Sequence, residues 1–161
     1  MSPPARAFAE RHGWKLFRTR AFLEAFIPLQ AEVERLASRS SEGFVGHPKA
    51  KLLARIVALI SDEIPRDPNS PLYSLGDTLG PAHRHWRRAK FLQRFRLFFR
   101  FDSASRIIIY AWANDENQLR KAGSRNDPYA VFARRLDAGN PPDDWEELLR
   151  EARLAEQAQR R

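Results

Sequence analysis

Apolar residues recur every three or four positions from about Thr19 to Ser38. Phe22, Leu23, Phe26, Ile27, Leu29, Val33 and Leu36 make the stripe, while Glu24, Gln30, Glu32, Glu34 and Arg35 fall mostly elsewhere. That period predicts an amphipathic helix with Thr19 as its cap. Pro28 lacks the amide hydrogen a helix interior uses, so a kink or break is expected there. Ser40, Ser41, Gly43 and Gly46 mark a loop. A second helix is predicted from about Pro48 to Ile64, with Leu52, Leu53, Ile56, Val57, Ile60 and Ile64 buried and Pro65 ending it. Residues 65–82, punctuated by Pro65, Pro68, Pro71, Gly76, Gly80 and Pro81, form a long loop.

The period then changes from helix to strand. Trp86 to Phe91 is a short strand. Arg94 to Phe101 alternates, with Phe95, Leu97, Phe99 and Phe101 on one face and Arg94, Arg96, Phe98 and Arg100 on the other. Asp102 to Ser105 is a turn, and Arg106 to Ala113, with its Ile107-Ile-Ile109 run, is the second arm of an antiparallel hairpin. Asn114 to Arg120 forms a helical turn. Pro128 to Leu136 is a short helix capped by Asn126 or Asp127 and stopped by Gly139, and Asp143 or Asp144 caps the last helix. The expected class is α+β: two N-terminal helices on a small antiparallel sheet, followed by C-terminal helices.

The 161 residues suit one domain, with residues 1–12 and 156–161 expected to fray; the C-terminal stretch is helix-forming but poor in apolar anchors. At 43% hydrophobic the chain can build a core, and no segment has the apolar length of a membrane span. The N-terminus has no apolar stretch of the secretory type, so a cytoplasmic location is expected. Cysteine is absent, which excludes disulfides and thiolate chemistry. A formal net charge of +8 turns attention to nucleic acid or an acidic protein as partner.

That charge is concentrated. Between Asp77 and Asp102 there is no acidic residue, but there are Arg84, Arg87, Arg88, Lys90, Arg94, Arg96 and Arg100, interleaved with Trp86, Phe91, Phe95, Phe98, Phe99 and Phe101. Side chains two apart on a strand stand roughly 6.5–7 Å apart, close to the phosphate repeat of an extended single strand. On this reading Arg94, Arg96 and Arg100 grip backbone and Phe98 stacks a base; the competing reading is a solvated outer sheet face. His83-x-His85 opens the run and could move protons. A metal there is not expected, because no carboxylate lies nearby in sequence and the arginines repel cations. Asn114-Asp-Glu-Asn117 could position a base or simply cap the strand end. No phosphate-binding glycine loop, dinucleotide fingerprint, zinc-protease motif or serine elbow is present, and no cofactor is expected.

An ordered set of short motifs carries a family resemblance: Gly13-Trp14, Lys51-Leu-Leu-Ala54, Pro68-x-Ser70-Pro71, Ser74-Leu-Gly-x-x-Leu-Gly80, Arg96-Leu-Phe-Phe-Arg100, Trp112-x-Asn-Asp-Glu-Asn-x-Leu-Arg120, Asp127-x-Tyr-x-Val-Phe132 and Pro141-Pro-x-Asp-Trp145. Across residues 13–149 the chain resembles the YhaV toxins of PrlF–YhaV toxin–antitoxin systems, within the RelE superfamily. The resemblance implies a RelE-like fold and an endoribonuclease that cuts mRNA on the translating ribosome. It also implies a PrlF-like antitoxin whose AbrB-type domain carries the complex to operator DNA. Arg87, Arg88 and Lys90 match the basic strand before the central one in such toxins, and Arg96 matches the arginine early on the central strand. Arg120 and Tyr129 are counterparts of an arginine and a tyrosine past the last strand, at longer spacing here.

Metal-free RNA cleavage uses the ribose 2′-OH as nucleophile. It needs a base, cations for the developing phosphorane charge and an acid for the 5′-oxygen. Arg96, Arg87 and Arg88 suit the cationic task because they stay charged and can bind phosphate with two hydrogen bonds. His85, Lys90 and Glu116 remain open as the base. His83, Arg84, Arg94, Phe98, Arg100, Arg120 and Tyr129 are the expected RNA contacts. The alternatives are a non-catalytic nucleic-acid-binding relative and a gyrase-inhibiting toxin of the ParE type.

Overall fold

The structure, a computed structural model, describes residues 6–39 and 44–160. Of the predicted 40–46 loop, Ser40, Ser41 and Gly43 lie outside the described residues, as do residues 1–5 and 161 of the two termini. The class is α+β. Strands β1 (Ala9–Arg11), β2 (Trp14–Arg18), β3 (Arg87–Phe91), β4 (Phe95–Asp102) and β5 (Ile107–Ala113) form one five-stranded sheet in the order β1-β2-β5-β4-β3. β4 and β5 form the expected antiparallel hairpin, and β3 pairs antiparallel to β4. The sheet as a whole is mixed, because β2 pairs parallel to β5. The hairpin β1–β2 corrects two expectations: residues 9–11 are paired rather than frayed, and a strand pair precedes the first helix. Its turn is made by His12 and Gly13, both at positive φ.

Helices cover both faces. α1 (Arg20–Arg39) and α2 (Pro48–Ala58) pack with Leu16, Leu97, Phe99, Ile108 and Tyr110 in one core. α4 (Pro128–Asp137) and α5 (Trp145–Gln159) pack with Trp86, Phe98, Ile109 and Trp112 in the other. Every residue of β5 is buried, which is why its sequence reads as a continuous apolar run rather than an alternation. A register shift at Phe98/Phe99 turns both Ala111 and Trp112 toward the α4–α5 core.

Thr19 caps α1 through its hydroxyl, which accepts from the Phe22 amide at 3.0 Å and donates to the Ala111 carbonyl at 2.7 Å. Pro28 lies inside α1 without ending it: Phe22, Phe26 and Val33 are buried on either side and hold the helix through the lost hydrogen bond. The predicted second helix passes through a π-helical turn at Leu59–Glu63 and ends in α3 (Ile64–Arg66), with Pro65 inside the last turn. Asp127 caps α4, Gly139 follows its end at φ +74°, and Asp144 caps α5. Asn114 to Arg120 is an irregular turn rather than a helical one.

The C-terminal fraying expectation is also corrected. α5 continues to Gln159, and Glu156 is 1% exposed, bonded to Arg18. One turn earlier, Glu151 accepts from the Arg20 amide, but its Oε2 is buried without a partner. Burial lifts its carboxyl above the ordinary value, offset by the Arg20 bond. A raised carboxyl opposes folding once pH passes the unfolded value, about 4.3. Glu151→Gln should therefore raise the melting temperature near pH 7, with the gain shrinking as pH falls toward about 4.3 and absent below it; a loss at pH 7 would contradict this assignment.

Candidate nucleic-acid interface

The β3–β4 hairpin turns through Leu92, Gln93 and Arg94, the first two at positive φ (45° and 66°). Neither Leu92 nor Gln93 is a glycine or asparagine, so the turn carries backbone strain. Arg96 holds it. Its Nη1 donates to the carbonyls of Gln93 at 3.0 Å and Phe95 at 2.8 Å, and its Nε donates to the Tyr129 hydroxyl at 3.1 Å. The Arg96 amide donates to Asn114 Oδ1 at 2.7 Å. Only 7% of Arg96 is exposed, which corrects the picture of an arginine standing on a solvated strand face.

Arg88 approaches the same hydroxyl from β3, its Nε donating to Tyr129 Oη at 2.8 Å and its Nη1 to the Leu72 carbonyl at 3.3 Å. Arg120 lies over the Tyr129 ring at 4.8 Å and is tied to Asp127 Oδ1 at 2.7 Å. Asp127 thus fixes the arginine and caps the helix that carries Tyr129. Arg94 is exposed and donates from Nε to the Arg120 carbonyl at 3.1 Å. Lys90, exposed, is the cross-strand partner of Arg96. Arg88, Arg94, Arg96, Arg120 and Tyr129 therefore meet at one end of the sheet, with Lys90 beside them. A surface depression of about 480 Å³, lined in part by Leu72, Tyr73, Arg88 and Lys90, adjoins this cluster at the sheet edge.

Other expected residues lie apart. Arg87 points to the opposite face, with Nη2 on Asn69 Oδ1 at 3.0 Å and its guanidinium 5.4 Å from the Phe101 ring. Phe98 is fully buried and stacks on Phe132 with centroids 4.3 Å apart, so it cannot receive a base. Arg100 is packed between Trp86 and Trp145 and bonded to the Asp143 carbonyl; burial pulls its guanidinium below the usual value. Arg84 pairs with Asp77 at the surface. His83 and His85 converge on Asp143. Glu116 is exposed on the rim of a cleft lined by Phe26, Leu52 and Ile56, on the α1–α2 side.

Two positioning residues were singled out in the sequence for other roles. Asn114 is buried and saturated: it accepts from the Arg96 amide and donates to the carbonyls of Arg94 and Gln118, fastening the hairpin turn to the loop after β5. Asp127 was visible only as a helix cap, and its bond to Arg120 depends on the turn between them.

The chain matches, over residues 16–153, the model of the YhaV toxin family, described as a toxin with endonuclease activity, of a toxin–antitoxin system. It is 41% identical over 142 residues to the ribonuclease toxin YhaV of Escherichia coli (strain K12), covering 87% of this chain and 92% of that protein. The toxin YhaV of Escherichia coli O157:H7 matches at the same identity and coverage, 41%, 87% and 92%. No solved structure matches.

Proposed function

This chain belongs to the YhaV family, toxins with endonuclease activity from toxin–antitoxin systems, and we propose that it cuts mRNA on the translating ribosome at the arginine cluster around Tyr129. The observation that carries this is the convergence of Arg88 and Arg96 on one hydroxyl oxygen, with Arg120 on the ring of the same tyrosine. Three fixed cations at one point suit the extra negative charge of a pentacoordinate phosphorus. A base takes the 2′-OH proton, the 2′-oxygen attacks the adjacent phosphorus, an acid delivers a proton to the departing 5′-oxygen, and a 2′,3′-cyclic phosphate remains. Arg88 and Arg120, less buried than Arg96, meet the phosphate; Arg96 and Tyr129 hold them in place. Of the three candidate bases, Lys90 is the one beside this cluster, opposite Arg96 in register. A ribosome that orients the message would supply the alignment the protein's open site does not.

Membership in a toxin–antitoxin family implies an antitoxin partner. We infer a PrlF-like, AbrB-type protein that shields the cationic cluster and carries the complex to operator DNA. The described endonuclease activity of the family favours this reading over a gyrase inhibitor or a non-catalytic binder. Among the described residues no helix is long and apolar enough to cross a membrane; a cytoplasmic location follows from the proposed ribosomal substrate.

Primer extension on a translated message after induced expression tests the proposal. New 5′ ends within the coding region are expected from the wild type, with Tyr129→Phe reducing their rate of appearance about tenfold, since it removes one shared acceptor and keeps the ring. Intact messages accompanied by DNA damage would overturn it.

A further inference from the structure

His83 ends the 3-10 turn that leads into β3, His85 stands two residues before that strand, and Asp143 immediately precedes the cap of α5. The fold brings them together from 58 and 60 residues apart in sequence. His83 Nδ1 and His85 Nε2 lie 3.2 and 3.0 Å from the same Asp143 Oδ1, and the three ligand atoms all fall within 4.8 Å of one another. The carboxylate that the sequence did not place near the histidines is therefore supplied by the distant α4–α5 connection.

We propose that these three side chains bind a transition-metal ion of the Zn²⁺, Co²⁺ or Ni²⁺ class. Metal–nitrogen and metal–oxygen bonds of roughly 2.0–2.2 Å at tetrahedral angles put adjacent ligand atoms about 3.3–3.5 Å apart. The two N···O separations lie within a few tenths of an ångström of that edge. Two imidazoles and one carboxylate suit these metals, whereas Mg²⁺ prefers oxygen ligands and water. Three protein ligands leave a fourth position open. The carboxylate is already oriented, because the Trp86 indole N–H donates to its Oδ1 at 2.7 Å, the kind of outer-shell bond that fixes a ligating group. His83 and Asp143 are partly buried and His85 is exposed, so an ion can enter from solvent.

Arg100 argues against a cation and sets the affinity. Its guanidinium, however, donates to the Asp143 backbone carbonyl and lies against Trp86 and Trp145, and it has no hydrogen bond to the Asp143 carboxylate. Asp144, next in the chain, adds a compensating negative charge. The expected site binds more weakly than a closed structural zinc centre and clamps the approach to β3 against the start of α5.

Isothermal titration of the untagged full-length chain with ZnCl₂, together with the visible absorption of bound Co²⁺, tests this. One ion per chain and a tetrahedral Co²⁺ spectrum are expected. His83→Ala/His85→Ala should weaken binding by at least the ~10–100-fold that loss of an outer-shell partner costs, and Asp143→Asn should act in the same direction. His12→Ala, which removes a surface histidine paired with Asp62, should leave the isotherm unchanged. His85→Ala alone, at an exposed residue, keeps the test decisive if the double variant misfolds. Absence of one-to-one binding, or binding that survives loss of both histidines, overturns the proposal.

Discussion

Arg88→Ala is expected to slow RNA cleavage by about 10²–10³-fold, the usual cost of removing one fixed donor from a developing oxyanion. Arg87→Ala should stay within about threefold of wild type, like other substitutions away from a site. The two residues are adjacent, identical in charge and equally legible as part of the basic run. The sheet separates them. Arg88 reaches the Tyr129 hydroxyl and the α4–α5 side, whereas Arg87 lies over Phe101 and reaches Asn69 on the other. Purified variants added to a translating extract with an end-labelled message give the two rates, and melting temperatures check that both fold. Equal losses would mean that net positive charge, not placement, drives the reaction, and the cluster would lose its claim to be the site.

The same contrast shows what the sequence could and could not say. Alternation along Phe95 to Phe101 correctly put Arg96, Phe98 and Arg100 on one face, because side-chain direction in a strand is a local property. Which face meets solvent is not local. The covering layer is α4 and α5, whose apolar residues Phe132, Leu136 and Leu148 begin some thirty positions later. Phe98 therefore became core and Arg100 became part of the packing between two tryptophans. β1 and β2 were passed over because three- and five-residue strands give too few alternations to register. The parallel pairing of β2 with β5 joins segments about ninety residues apart and leaves no local mark.

For the site, residue types were legible and partnerships were not. Arg96 and Arg88 stood in the basic run, and Arg120 and Tyr129 were named through the family resemblance, yet the hydroxyl that joins two of the arginines depends on where α4 lands. Arg96 also changed character: bonded to Gln93, Phe95 and Tyr129, it fastens a strained turn in addition to bringing charge. Its removal would mix a folding defect with a catalytic one, which makes Arg88 the cleaner probe. His83 and His85 looked unsuited to metal partly because of the arginines around them and partly because the carboxylate beside them in space, Asp143, is far away in the chain.

Glu156→Leu is expected to cost about 3–5 kcal/mol of stability, the range found when one partner of a buried ion pair is removed. At roughly 2–4 °C per kcal/mol for a chain of this size, the melting temperature should fall by about 6–20 °C. The carboxylate takes three donors from one residue: the Arg18 amide at 2.7 Å, its Nε at 3.0 Å and its Nη2 at 2.8 Å. Arg18 ends β2, and its guanidinium sits 4.2 Å from the Phe8 ring, so without Glu156 a positive charge is left desolvated. Arg18→Met/Glu156→Leu removes that charge as well and should recover part of the loss, giving a coupling energy of about 1–3 kcal/mol in a double-mutant cycle. Simple additivity would mean that each side chain contributes only its own packing, and the pair would not be what fastens α5 to the sheet. If coupling is found, the helix that looked too polar to anchor itself is held by one buried carboxylate. Through it β2 is fixed beside β5, the strand whose end carries Asn114 into the arginine cluster.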